Sequence, residues 1–164
     1  MSESIPFGIL AELSVTLAGF ASLIAVLRNR SVSQWHPRVR FNFLLTLTYS
    51  LSALLFSLIP SLLADISVTS WLAPIALLLF AAGVMGYFIV REHRRLRAMG
   101  LGLKATATWA IGWILASVAI GLMILAFVGL WISPAGAYHF AVCILLMLSA
   151  LSFVGALQYP VEEA

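Results

Sequence analysis

All nine Lys and Arg residues of this 164-residue chain fall in two short segments, and long, nearly uncharged runs fill most of the rest. The first segment holds Arg28, Arg30, Arg38 and Arg40; the second holds Arg91, Arg94, Arg95, Arg97 and Lys104. So little charge over so many residues suits a lipid solvent better than water. About 20 apolar residues in a helix cover the hydrocarbon core of a bilayer. Five runs of this kind are read here, at about residues 6–27, 41–64, 71–90, 109–132 and 138–157. Lipid offers no partner for backbone N–H and C=O groups, so each run must be a helix. The expected fold is all-α, an integral membrane bundle of five transmembrane helices forming one domain over residues 1–164.

The basic segments also orient the bundle. Five spans put the first and third linkers on one side, and those are the two that hold every Lys and Arg. The positive-inside rule places both in the cytoplasm, with the N-terminus outside and the C-terminus inside. The expected setting is the plasma membrane of a bacterial-style cell. The leading MSESIPFG has no basic stretch, and the run after it exceeds the length of a usual signal core, so span one reads as an anchor.

Composition narrows the function classes. The chain is 63% hydrophobic and 9% charged, with a mean hydropathy of +1.09, too apolar for a water-facing surface. The sequence pI near 9.5 comes from residues flanking membrane runs, so topology explains it better than nucleic acid does. Cys143 is alone, which leaves no pair for a disulfide, a dithiol or a cysteine-paired zinc site. There is no G-x-S-x-G, H-E-x-x-H or phosphate-binding loop, so no enzyme is expected. Neither cofactor nor metal is expected.

Span one carries the one acid set well inside a run, Glu12. At about 100° per residue, Ile9, Leu10, Leu13, Leu17, Phe20, Ile24 and Leu27 share an arc suited to lipid. Ala11, Ser14, Ala18, Ala21, Ser22 and Ala25 lie on the opposite side, with Gly8, Glu12, Thr16 and Gly19 along a neighbouring edge. Small and hydroxyl residues let helices approach closely, so this whole side is expected to face protein and to turn Glu12 inward. An intramembrane acid faces a cavity, takes a proton or finds a partner. Glu12 is therefore either a proton- or cation-binding carboxyl or a group that locks helix packing.

Other polar residues could join it. Span two carries Asn42, Thr46, Tyr49, Ser50, Ser57 and Ser61 on one face, either lining a path or bonding within the bundle. Pro60 should bend its last turns. His139 opens span five and Asp65 closes span two, on the same side as Glu12 by the topology above. A cluster of Glu12, Ser61 and His139 is conceivable, as is a plain interfacial His beside Tyr138. Gly83 and Gly86 in span three, Ser117 and Gly121 in span four, and Ser149 and Ser152 in span five read as packing positions. Trp35, Trp71, Trp109, Trp113, Trp131, Tyr138 and Tyr159 read as membrane-interface belts. Arg28, Arg38, Arg40, Arg94, Arg95 and Arg97 read as contacts to anionic lipid headgroups at the cytoplasmic face.

The tetrad LAEL at residues 10–13 resembles the first helix of the small multidrug-resistance transporters, where an Ala-Glu pair carries the proton- and cation-binding acid. The resemblance implies that role for Glu12 alone. It covers a handful of residues, and the fifth span and long basic linkers depart from that four-helix pattern.

Two functions remain open. One is a transport or channel-like bundle centred on Glu12 and linked to protons or cations. The other is a membrane assembly or interaction subunit whose polar and small faces mediate helix packing, as a homo-oligomer or with a partner membrane protein.

Overall fold

A computed structural model describes residues 7–27, 35–65, 71–98, 107–129 and 133–157. These form five helices and no strand: α1 (Phe7–Leu27), α2 (Pro37–Asp65), α3 (Leu72–Ala98), α4 (Ala107–Phe127) and α5 (Pro134–Leu157). Within them, Pro37–Leu63, Leu72–Ala98 and Pro134–Leu157 are long and apolar enough to cross a membrane. The apolar stretches found in α1 and α4, Phe7–Leu23 and Ile111–Phe127, are shorter. Three candidate transmembrane helices give the chain the pattern of a multi-pass membrane protein.

Several helix ends differ from the sequence expectation, each for a local reason. Helix α2 begins four residues early, because Pro37 can occupy the first helical position, where its missing N–H costs nothing. His36 caps it: its carbonyl accepts the Arg40 N–H at 3.1 Å and its Nδ1 accepts the Arg38 N–H at 3.4 Å. The SPAGA segment reads as a tight turn, yet Pro134 starts α5 by the same device. Ser133 supplies the cap there, its carbonyl accepting the Ala137 N–H at 3.0 Å and its Oγ the Gly136 N–H at 3.4 Å. Helix α3 continues to Ala98, two turns past the expected end, because arginine is a good helix former and Arg95 and Arg97 suit a helix C-terminus. Helix α4 stops at Phe127, short of the expected residue 132. Gly129 follows with φ of 81°, a left-handed geometry that glycine adopts without cost.

The helices group into two compact units. The first contains α1, nearly all of α2 and α5 from Val142 onward. Ala21 of α1, Trp35 just before α2, and Val39 and Phe43 of α2 form one buried cluster, with Leu47 and Phe153 packed on it. The Trp35 ring meets Phe43 edge-on, centroids 5.1 Å apart. Trp35 is thus a core residue, and its expected place in an interface belt is corrected. In the second unit α3 packs against α4. Their buried faces are Ile75, Leu78 and Leu96 on one helix and Ala119, Met123 and Ala126 on the other. Tyr138, expected at the surface, is fully buried there, its ring 5.9 Å from that of Trp71.

Polarity is distributed as lipid requires. Thr46, Ser50 and Ser149 are fully enclosed, while Phe80 is 72% exposed and Leu55 62%. Apolar exposure on this scale is unstable in water, whereas lipid tails solvate it.

Small residues do not all serve close approach. A Cβ added at Gly83, Gly86 or Gly121 would meet nothing within 4 Å, and Ser117 is exposed. Among the described residues no close contact marks these four positions as packing sites. Gly155 is the close contact: a Cβ there would lie 2.9 Å from Asn42 Nδ2. Gly83→Ala should therefore leave thermal stability in detergent unchanged or raise it by up to about 1 kcal/mol, the helix-propensity difference. Gly155→Ala should lower it. The reverse order would show that the α2–α5 contact at Asn42 is loose.

Candidate functional site

The polar stripe of α2 forms a seam with α5 inside the first unit. Ser149 Oγ donates to the Thr46 carbonyl at 3.0 Å, which uses its only proton. Ser50 Oγ, 2.7 Å from Ser149 Oγ, must then be the donor of that bond. Thr46 Oγ1 donates back to the Asn42 carbonyl at 2.9 Å, and Ser57 Oγ to that of Leu54 at 2.8 Å. All five of these side chains, Asn42 included, are buried. Each of the four hydroxyl donors is satisfied, and the arrangement holds two helices in register. None of these four hydroxyl protons is free to bind a solute. Ser61, at the far end of the stripe, is exposed, and Ser152 is half-buried.

Helix α1 presents the opposite picture. Leu10, Ser14 and Ala21 form its buried line, flanked by half-buried Ala11, Leu17 and Ala18. Ser14 Oγ donates to its own helix at the Leu10 carbonyl, 2.7 Å away. Glu12 is exposed and stands roughly 180° round the helix from that line at 3.6 residues per turn. Thr16 is exposed beside it, its Oγ1 bonded to the Glu12 carbonyl at 2.8 Å, and Gly8 and Gly19 complete an outward edge. Ser22 is exposed as well. Among the described residues the inward turn expected of Glu12 is not found, and no acid is buried.

Comparison with known proteins returns no matching family, no matching curated protein and no matching solved structure.

His139 lies half-buried at the start of α5, with Nδ1 2.8 Å from the Ala135 carbonyl one turn earlier. That bond spends one ring nitrogen on the backbone and fixes the tautomer. Among the described residues no three His, Cys, Asp or Glu side chains gather as a metal site. The side chain of Asp65 lies outside the described residues, so its expected place near Glu12 and His139 is untested.

The basic residues divide by helix. Arg28 lies outside the described residues; Arg38 is half-buried and Arg40 exposed on the first turn of α2. On α3, Arg91, Arg94, Arg95 and Arg97 are all exposed, and Arg95 makes a loose 3.7 Å ion pair with Glu92. Arg91 was not among the expected headgroup contacts. Extending the α3 periodicity past Val90 would have placed it in line with Arg94 and Arg95.

Proposed function

We propose that the protein is a five-span membrane assembly subunit, non-catalytic, in which the Glu12 edge of α1 docks against the same edge of a second copy. The observation that carries this reading is the outward position of Glu12, directly opposite the Leu10–Ser14–Ala21 line. A carboxyl facing lipid is unfavourable, and association with another helix is the usual remedy. The edge suits close approach, since Gly8 and Gly19 bracket Glu12 and Thr16. A second copy is the fitting occupant because it brings an identical small-residue edge and a carboxyl to match Glu12, whereas every Lys and Arg falls in residues 28–40 or 91–104. Where a two-fold axis passes beside Glu12 that residue meets its own counterpart, so two carboxyl groups can meet and share a proton. The seam of bonded hydroxyls gives no comparable support to a transport path.

Orientation follows the basic residues, with the N-terminus outside and the C-terminus in the cytoplasm of a bacterial inner membrane. In a Cys143→Ser background, single cysteines at Ser2, Ser67 and Ala135 should react with an impermeant thiol reagent from outside. Cysteines at Ser33 and Ala98 should react only after the membrane is opened. Thr16→Cys should cross-link between copies on oxidation, whereas Leu10→Cys should not. Cross-linking at Leu10 in preference to Thr16 would reject the interface, and the opposite labelling pattern would reject the topology.

A further inference from the structure

The two extra turns of α3 carry more than topology demands. Orientation needs only a count of basic residues on one side; it does not fix which way they point. Here Arg91, Arg94 and Arg95 are exposed and fall within an arc of roughly 100° at 3.6 residues per turn. Phe80, Val84, Tyr87 and Phe88 are exposed on that same side, immediately N-terminal. The buried line of the helix, Leu78 and then Leu96 five turns later, keeps to the far side throughout. Glu92 lies away from the basic arc and pairs loosely with Arg95 at its edge. An aromatic stripe thus runs straight into a basic cluster on one regular helix.

From this geometry we infer that the Phe80–Arg95 face of α3 is a binding site for an anionic phospholipid of the cytoplasmic leaflet. Phe80 to Arg91 rises about 16 Å at 1.5 Å per residue. That matches half of a hydrocarbon core about 30 Å thick, the depth of one leaflet. The acyl chains lie along Phe80, Val84, Tyr87 and Phe88, and the headgroup phosphate meets the guanidinium groups of Arg91, Arg94 and Arg95. Arginine suits the role because its planar fork offers paired donors to phosphate oxygens. An acidic peptide could satisfy the charges but would leave the aromatic stripe without a role. The inference rests on the membrane orientation proposed above; labelling of Ala98→Cys reports on that orientation separately.

The test uses the whole protein in neutral detergent with phosphatidylglycerol, phosphatidylcholine of the same chains, or inorganic phosphate, reading retained lipid by native mass spectrometry and stability by thermal shift. Phosphatidylglycerol should be retained and should raise the melting temperature; the other two should do neither. Each basic residue near a lipid surface is worth about 1 kcal/mol, about 5-fold, so Arg91→Gln/Arg94→Gln/Arg95→Gln should weaken retention on the order of 100-fold. Arg38→Gln/Arg40→Gln should change it far less. If the triple variant fails to insert, Tyr87→Ala/Phe88→Ala keeps every charge and should still lower retention several-fold. Equal retention by these variants and the wild type would overturn the site. So would inorganic phosphate competing as well as the lipid, or an acidic peptide displacing it.

Discussion

Ser149→Leu should be the most damaging single change in the helix interior. Ser149 is fully enclosed, and its hydroxyl both donates to the Thr46 carbonyl and accepts from Ser50. Leucine removes both bonds and forces three extra carbons between α2 and α5. Overpacking a filled interior costs about 1–3 kcal/mol. Interhelical hydrogen bonds in membranes add about 0.6 kcal/mol each on average, with a maximum near 1.7. The combined loss is about 2–5 kcal/mol, a large fraction of the roughly 5–15 kcal/mol that holds a native domain together. Ser149→Ala should cost only the hydrogen-bond part, because the Ser50 hydroxyl can turn back to its own helix. Ser22→Leu serves as the control, since Ser22 is exposed on α1. Unfolding titrations with a denaturing detergent should rank the variants wild type, Ser22→Leu and Ser149→Ala close together, then Ser149→Leu well below. If Ser149→Leu matched Ser22→Leu, the α2–α5 seam would have no structural weight.

The sequence made this seam legible for a simple reason. Asn42, Thr46, Ser50 and Ser57 recur at spacings of four and seven residues, and a helix turns such a pattern into one face. The identity of the buried side of α1 was harder to read. A wheel separates bulky from small residues, but here the small side carried two edges, one with Ser14 and Ala21 and one with Glu12 and Thr16. Only packing decides between them, and it also drew in Leu10 from the bulky side. Two helix starts differ where prolines stand: Pro37 and Pro134 read as turn residues, yet each begins a helix. Trp35 and Tyr138 were misplaced because an aromatic near the end of an apolar run reads as an interface anchor. Whether it instead folds back into a cluster depends on residues far along the chain. Glycine was ambiguous for the same reason, since Gly83 and Gly155 look alike in sequence but only Gly155 has a neighbour at contact.

Glu12→Leu should move two measurements in opposite directions. In the isolated chain Glu12 faces outward, so leucine replaces an acid by a group that lipid solvates well. An ionisable residue at the centre of a transmembrane helix costs about 2.5–3.5 kcal/mol on insertion scales, and Glu12, nearer one end of α1, should cost less. Stability of the monomer in a bilayer mimic should therefore rise. Association should fall, because the variant loses the polar contact between copies, worth about 1–2 kcal/mol or 5- to 30-fold in the dimer constant. Glu12→Gln keeps the hydrogen-bonding shape and should leave association close to wild type. Glu12→Lys should abolish it, setting two like charges face to face. Gly19→Leu should weaken it without touching charge, by holding the two copies of α1 apart. Dimer populations from energy transfer in liposomes, read at several protein-to-lipid ratios, measure the association; unfolding titrations at high dilution measure the monomer. A Glu12→Leu monomer less stable than wild type would mean that the carboxyl holds the chain's own helices together. Unchanged dimerisation in Glu12→Leu and Glu12→Lys alike would remove the outward edge of α1 as an interface.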